Sequence, residues 1–321
     1  MRKFVSASLL LLLLALSLTS FSQETYDNLV RRFAYDKNTP LDLQQHGLEE
    51  RDGIKIYDIS YASLKGGRVP AYLVVPKGRG PFAAIIFGHW AMPGSPVMNR
   101  KEFLEEALAL ARAGAVSLLT DAPFARPGFK PGTQPFDPQD VAVYFQQVMD
   151  MRRGVDLLLS RKDVDSSRIA YVGHSYNANV GGLLAGVEKR IKTFVLMAGS
   201  LSDVEALRSN DPEMVKLRQL VGEAKIEQVI AETNWLDPAN YIGHAAPSSV
   251  LLQYGLKDGP NGEKRGRHYF SLVSEPKALK LYDAGHALNS EARRDRYEWL
   301  RTHLNLRKLD RAVLDKVQDI K

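Results

Sequence analysis

The sequence predicts an α/β fold: a mostly parallel, doubly wound sheet with helices on both faces, an N-terminal antiparallel hairpin and a helical lid. Short apolar segments alternate with amphipathic helical segments between residues 82 and 304, which is typical of parallel strands joined by helices. One apolar segment, residues 169–172, runs directly into Gly-His-Ser at 173–175 and then into a helix-like stretch. At about residues 200–241 apolar residues recur at helical spacing instead, so we expect an inserted lid there.

Two strands joined by a tight turn open the domain. Residues 54–63 and 68–75 have the pattern of strands, and Lys65-Gly66-Gly67 between them has a hairpin-turn composition. The preceding residues 23–53 are polar and weakly periodic, so we expect them to wrap the outside of the domain. Periodicity and helix-stopping glycines predict strands at 82–87, 116–119, 193–197, 250–254 and 278–282, and helices at 101–113, 139–160, 178–187, 288–304 and 306–321.

The composition is that of a globular protein with a sizeable core. The chain has 321 residues, of which 45% are hydrophobic and 9% aromatic, and we expect one domain over residues 54–305. The absence of cysteine excludes disulfides, a thiol nucleophile and a cysteine-ligated metal. The net charge is +6 with basic and acidic residues interspersed, which favours a solvated surface over nucleic-acid binding. The helix at 306–321 would dock on this domain or form a homodimer contact.

The first residues predict export. Arg2 and Lys3 form a basic start, the run Val5 to Leu18 is apolar and rich in leucine, and small residues precede Gln23. These features indicate a secretory signal peptide over residues 1–22, cleaved after Ser22. Because the apolar run is short for a membrane span, we expect a secreted or periplasmic protein without stable membrane insertion after signal removal.

Ser175 is the candidate nucleophile. A serine at the tip of a strand–turn–helix unit is raised clear of the sheet, and the following helix directs its N-terminal N–H groups to the same point. Gly173 and Ser175 match the start of the G-x-S-x-G motif, whereas Asn177 stands at the second glycine. Asparagine is among the residues that best tolerate unusual backbone angles, so the motif is weakened but retained.

His286 is the candidate base. A serine hydroxyl needs a histidine to accept its proton and a carboxylate to orient that histidine, and in this type of site both follow the serine in the chain. His268 and His303 fall within helical patterns, and His244 lies in the loop that closes the lid. Only His286 comes directly after a predicted strand, with Gly285 expected to let the loop turn sharply.

Asp258 is the candidate acid. It follows the strand at 250–254, and loops at the carboxyl ends of parallel strands are where such sheets place their chemistry. Asp237 precedes a proline and is typical of a cap or turn, while Asp283 is too close in sequence to the histidine to orient it. Asp121 lies before the serine strand and is expected to shape the pocket wall.

Two N–H groups are needed to bind the oxyanion, each worth about 3 kcal/mol of barrier. One is expected from Tyr176, directly after the nucleophile. The other should come from the loop after the strand at 82–87, with Trp90 as first choice and Ala91 as second, while His89 shapes that loop. Aromatic residues that would line an apolar substrate pocket are Tyr176, Trp90, Phe124, Phe129 and Trp235.

Together these residues resemble the α/β-hydrolase superfamily, in particular its dienelactone-hydrolase-like and prolyl-oligopeptidase-like branches. The similarity spans about residues 54–305, and two departures from the pattern are Asn177 and the order Gly88-His89 in place of His-Gly. The resemblance implies a serine hydrolase with Ser175 as nucleophile, Asp258 as acid and His286 as base, without metal or cofactor. It rests on Tyr72-Leu73-Val74-Val75-Pro76, Gly88-His89-Trp90, Asp165-x-x-Arg168-Ile169, Gly173-His174-Ser175, Gly255-x-x-Asp258 and Gly285-His286-x-Leu288.

Hydrolysis of a small-molecule carboxylic ester is the first hypothesis for function. A serine peptidase or amidase would use the same groups and remains the alternative. A catalytically silent binding protein on the same fold is a third possibility, which Asn177 keeps open. The sequence contains neither an H-E-x-x-H metal motif nor a G-x-G-x-x-G nucleotide motif after the first strand.

Overall fold

A nine-stranded sheet forms the centre of the fold in the computed structural model, which describes residues 24–133, 137–259 and 262–317. The predicted signal peptide therefore lies outside the described residues. The strands are β1 (Gln44–Arg51), β2 (Ile54–Ala62), β3 (Arg68–Val75), β4 (Phe82–Gly88), β5 (Ala115–Thr120), β6 (Val164–His174), β7 (Thr193–Met197), β8 (Ser249–Gly255) and β9 (Lys277–Tyr282). Their order across the sheet is β1-β2-β3-β5-β4-β6-β7-β8-β9.

Strand direction divides the sheet into two parts. The strands from β1 through β3 to β5 pair antiparallel, whereas β5, β4, β6, β7, β8 and β9 pair parallel. The carboxyl ends of the parallel strands consequently meet at one edge, which is where open α/β sheets bind ligands. This is the predicted fold class, with its antiparallel hairpin at the N-terminal side.

Helices cover both faces of the sheet, and a group of them fills the predicted lid. The helices are α1 (Tyr26–Arg31), α2 (Leu104–Arg112), α3 (Pro138–Leu159), α4 (Tyr176–Val187), α5 (Asp203–Arg208), α6 (Pro212–Val221), α7 (Glu223–Thr233), α8 (Ala239–Ile242), α9 (Gly262–Leu272), α10 (Ser290–Leu304) and α11 (Arg311–Asp315), with short 3₁₀ turns at Pro123–Ala125 and Asn234–Leu236. None of the described helices is long and apolar enough to cross a membrane.

The core lies in two layers on either side of the sheet. In β4, Ala84 and Ile86 belong to one layer, whereas Ile85 and Phe87 belong to the other, as the two-residue period of a strand requires. Because both faces of β4 are buried, the strand is an uninterrupted apolar run in the sequence.

The largest departure from prediction is β1. Its side chains are mostly exposed, so the segment lacks the alternation of apolar and polar residues that marks a half-buried strand. Backbone pairing with β2 holds it at the sheet edge. Part of the segment predicted to wrap the domain is therefore the edge strand of the sheet. The helix predicted over 306–321 is shorter, and α11 docks on α2 and α10.

Candidate active site

Ser175 lies at a strained turn between β6 and α4. Its backbone has φ 54° and ψ −113°, a conformation that costs about 1–3 kcal/mol for a non-glycine residue. The Ser175 N–H donates to the carbonyl oxygen of Met197 at the end of β7, at 2.8 Å. Only glycine fits at position 173, because a Cβ there would lie 2.2 Å from the carbonyl oxygen of Asn177. The structure thus confirms the predicted strand–turn–helix context of the serine.

Asp258 and His286 contact each other directly. The His286 Nδ1 lies 3.1 Å from each carboxylate oxygen of Asp258. The two loops that carry them are joined by backbone bonds, since the Lys257 N–H donates to the Ala284 carbonyl at 2.9 Å. With Nδ1 donating to the carboxylate, Nε2 is left as the acceptor that a general base needs.

A guanidinium completes the surroundings of the acid. Arg265 of α9 donates through Nη2 to Asp258 Oδ2 at 2.8 Å and to the Asp258 carbonyl at 3.1 Å. Burial alone would raise the pKa of Asp258, but the hydrogen bond and charge of His286, together with the charge of Arg265, outweigh it and the pKa is lowered. The carboxylate is therefore ionised over the whole neutral range.

The histidine loop lies against the residue that precedes the serine. His174 Nε2 is 2.9 Å from the carbonyl oxygen of His286, and the two rings stack with their centroids 5.3 Å apart. In the described chain no hydrogen bond yet joins the Ser175 hydroxyl to the His286 ring. Catalytic hydrogen bonds of this kind are often long without substrate and shorten in the substrate complex.

A buried carboxylate that the sequence did not reveal joins the parts of the site. Glu102 and His174 have fully buried side chains, with Oε1 and Nδ1 2.5 Å apart, and Glu102 Oε2 accepts the Trp90 N–H at 2.6 Å. Because His174 Nε2 donates to the His286 carbonyl, one proton must lie between its Nδ1 and Glu102. His174 was visible as the middle residue of Gly-His-Ser. Glu102, in contrast, precedes an ordinary amphipathic helix and carried no signal.

This contact corrects the predicted oxyanion hole. Because the N–H of Trp90 already donates to Glu102, Trp90 was the wrong first choice. The N–H groups of Tyr176 and Ala91 have no acceptor within the described part of the chain, which leaves them as the candidate pair. The Trp90 ring instead stacks on His174, with a centroid distance of 5.0 Å, and lies parallel to His286.

Asn177 and His89 hold the loop that carries Ala91. The buried Asn177 amide donates to the His89 carbonyl at 2.6 Å and accepts from Gln147 at 2.8 Å. The His89 ring bonds the Trp90 carbonyl through Nδ1 and accepts the Ala122 N–H at Nε2. Burial lowers the pKa of His89 to about 4, so its ring is neutral. As predicted, His89 shapes the loop.

Only one of the three additional aromatic candidates reaches the site. The Phe124 ring contacts the Tyr176 ring with a centroid distance of 5.0 Å. Phe129 lies in a separate groove beside the β2–β3 turn, and Trp235 packs against Phe33 and Phe145. The assignment of Phe129 and Trp235 to the substrate pocket was therefore wrong, because the sequence does not show which way a loop aromatic turns.

The other histidines after Ser175 lie elsewhere. His244 stacks on Tyr26 at 3.6 Å, and His268 Nε2 contacts Glu205 at 2.6 Å. The loop turns directly after Gly285, since the Leu288 N–H donates to the Gly285 carbonyl at 3.1 Å, and the left-handed residue of this turn is Leu288, at φ 61°. Over the ranges that the structure describes, no three His, Asp or Glu side chains are grouped to hold a metal ion.

No protein-family model and no curated protein matches the chain. Many solved structures match it. The acetyl xylan esterase from Paenibacillus sp. R4 is 23% identical with a TM-score of 0.68, over 87% of this chain and 93% of that one. Acetyl xylan esterase 1 from Thermoanaerobacterium sp. JW/SL YS485 is 17% identical with a TM-score of 0.67, over 87% and 92%. The glucuronoyl esterase from Solibacter usitatus is 12% identical with a TM-score of 0.60, over 87% and 91%.

Proposed function

We propose that this chain, which has the α/β-hydrolase fold, is a serine hydrolase that cleaves carboxylic esters through an acyl-enzyme on Ser175. The observation that carries the proposal is the contact between His286 and Asp258, at 3.1 Å, at the sheet edge where β6 presents the serine. Acid, base and nucleophile come from three separate loops, and a common position at the carboxyl ends of the strands is what the chemistry requires.

In the first half of the proposed reaction, His286 Nε2 accepts the proton of the Ser175 hydroxyl as Oγ attacks the ester carbonyl carbon. The carbonyl oxygen becomes an oxyanion, which accepts hydrogen bonds from the N–H groups of Tyr176 and Ala91. Asp258 keeps the imidazole oriented and stabilises its positive charge. The C–O bond then breaks, and His286 returns the proton to the departing alcohol.

In the second half, water replaces the alcohol. His286 accepts a proton from this water, whose oxygen attacks the acyl carbon, and the same two N–H groups bind the second oxyanion. Collapse of this intermediate breaks the bond to Ser175 Oγ, which regains its proton from His286. The carboxylic acid leaves and the free enzyme is restored without a metal or cofactor.

An ester is favoured over an amide as substrate because three of the structural neighbours are named esterases. A peptidase or amidase would use the same groups, so turnover of matched ester and anilide substrates decides between the two. Faster turnover of the anilide would replace the ester proposal with the amidase one.

The central test is the change Ser175→Ala. We expect the purified mature protein to hydrolyse p-nitrophenyl acetate and to be labelled by a fluorophosphonate probe, and the variant to lose both. Ser271→Ala, on the exposed side of α9, is the matched control and should retain both. Labelling or turnover that survives in Ser175→Ala contradicts the proposal. A parent protein that is folded yet inert favours the silent binding protein.

We propose further that the chain is exported, on the basis of the signal-peptide pattern in residues 1–22. Expression in a bacterial host should yield a mature protein in the periplasm or medium that begins at Gln23, as read by N-terminal sequencing. Recovery of the uncleaved chain in the cytoplasm would contradict export while leaving the catalytic proposal intact.

A further inference from the structure

An apolar cavity lies between α3 and the inserted helices α5, α6 and α7. Its volume is about 570 Å³, within the range of small-molecule sites. Apolar side chains form most of the wall, among them Val141 of α3, Leu207 of α5, Leu217 of α6 and Val229 of α7. Nothing in the proposed triad chemistry uses this space.

The cavity lies near α4, the helix that begins directly after Ser175. Tyr144 of α3 lines it, and the Tyr144 ring meets the Tyr176 ring edge-on with centroids 5.5 Å apart. The hydroxyl groups of both tyrosines are buried without a hydrogen-bond partner in the described chain. Asn179, on the first turn of α4, donates to Asp203 Oδ1 of the cavity wall at 3.3 Å. A molecule in the cavity would therefore lie beside the helix that begins directly after Ser175.

The charged groups of the wall all have one sign. Asp140, Asp203, Glu232 and Asp237 line the cavity, and no lysine or arginine of the described residues does. Asp140 and Glu232 are exposed, so water solvates them. The two oxygens of Asp237 accept hydrogen bonds from the Ser202 hydroxyl and from the N–H groups of Val204 and Ala239.

Asp203 is the exception within this group. Its Oδ1 accepts from Asn179 and Ser200, whereas its Oδ2 has no partner among the residues that the structure describes. Burial, and then the charge of Asp237, raise the pKa of Asp203 to about 6, so the carboxylate is still mainly ionised at pH 7 to 8. Asp203 is partly exposed and lines the cavity, so this oxygen is open to a cation bound there.

We propose that this cavity binds the part of the substrate remote from the ester bond, and that this part is an alkyl or aryl group bearing a positive charge. The apolar walls would cover the hydrocarbon and the ammonium group would lie at Asp203 Oδ2. The Tyr144 ring would add a cation–π contact. The inference rests on the proposed ester hydrolysis and defines its substrate class as cationic amphiphiles.

Calorimetric titration of the mature protein at pH 8 with three probes of similar shape tests the charge preference. The probes are 3-phenylpropyltrimethylammonium, the neutral 4-phenyl-1-butanol and the anionic 4-phenylbutyrate. We expect the cation to bind at least roughly tenfold more tightly than the alcohol, as for a close charge pair, and the anion to bind most weakly. Equal affinity for cation and alcohol, or tighter binding of the anion, overturns the proposal.

Two variants test the location. Asp203→Asn keeps the oxygen that accepts from Asn179 and Ser200. This variant should bind the cation roughly tenfold or more weakly than the parent does, while its affinity for the alcohol should change by less than about twofold. Glu213→Gln, at an exposed carboxylate on the first turn of α6 that does not line the cavity, is the control and should change both affinities by less than about threefold. Equal effects of the two variants contradict the role of Asp203. If Asp203→Asn does not fold, the three-probe series on the parent still decides the charge preference.

Binding and catalysis are measured separately, so their failures can be distinguished. The same titrations on Ser175→Ala need no turnover, and cation selectivity there with an inert parent protein would leave the cavity proposal standing without the hydrolase. Turnover of neutral esters without any preference for the cationic probe would support the hydrolase and contradict the cavity proposal. Leu217→Trp places a larger side chain in the cavity and should lower the affinity for both the cation and the alcohol. Unchanged binding of the two probes would contradict the assignment to this cavity.

Discussion

The side chain of Asn177 occupies the space that any side chain at position 88 would need. A Cβ built on Gly88 would lie 2.6 Å from the Asn177 Cβ, and the Asn177 amide extends past this glycine to the His89 carbonyl at 2.6 Å. Asparagine in place of the motif glycine and the order Gly-His in place of His-Gly are therefore one compensated change. Glycine at position 88 leaves room for the Asn177 side chain, and the Asn177 amide ties the nucleophile turn to the oxyanion loop.

Gly88→Ala should lower the free energy of unfolding by about 1–3 kcal/mol, because the new methyl group overlaps a buried side chain. Asn177→Gly removes that overlap, so the double variant should be more stable than the sum of the single changes predicts, by roughly 0.5 kcal/mol or more. Urea denaturation of the four proteins measures this coupling. Gly285→Ala, with no heavy atom near the added Cβ, is the control and should change stability by less than about 0.5 kcal/mol. Strict additivity would contradict the compensation.

Glu102→Gln should reduce kcat by roughly tenfold to a hundredfold while KM changes less, because the carboxylate positions both the Trp90 backbone and His174 without touching substrate. Glu105→Gln is the matched control, since this exposed residue pairs with Arg51 at the surface. Steady-state kinetics with p-nitrophenyl acetate separates kcat from KM. A loss confined to stability, with kcat unchanged in the folded fraction, would reduce Glu102 to a purely structural role.

Asp258→Asn should lower kcat by roughly 10³ to 10⁴-fold, because an amide no longer holds His286 in the tautomer that leaves Nε2 free. Asp283→Asn tests specificity, since this nearby aspartate is exposed and pairs with Lys257 at 2.7 Å. It should retain kcat within about twofold. Comparable losses in the two variants would remove Asp258 from its assigned role.

Asp203→Asn should make the protein more stable at pH 8 and leave its stability unchanged near pH 4. The folded state raises the pKa of Asp203 from 3.8 to about 6, so the ionised form is disfavoured on folding and destabilises the protein above pH 6. This penalty disappears as the pH falls from 6 to 4, because the folded protein binds the proton first. The shift corresponds to about 1–3 kcal/mol. Urea denaturation at both pH values checks it, and an equal difference at each pH would contradict it.

The sequence by itself determined the parallel part of the sheet, most of its helices and the approximate place of the proposed chemistry. Apolar segments such as residues 82–87 and 193–197 reveal strands because a strand buried on both faces has no polar position. The Gly-His-Ser turn could be selected as the place of the proposed nucleophile because strand, turn and helix are consecutive in the chain. His286 and Asp258 could be selected since each follows a predicted strand, and parallel strands end at one edge.

Only the tertiary structure decided which groups meet around that edge. Glu102 lies 72 residues before His174, so no local sequence pattern indicates the hydrogen bond between them. The same holds for the Trp90 N–H, which donates to Glu102 and is thereby lost to the oxyanion hole. The exposed β1 depends on pairing with β2, and the unpartnered oxygen of Asp203 depends on the helices packed around it. Periodicity reports which face of an element is buried, but not what lies against that face. Hydrogen bonding and desolvation depend on the partner, and for these residues the partner lies far along the chain.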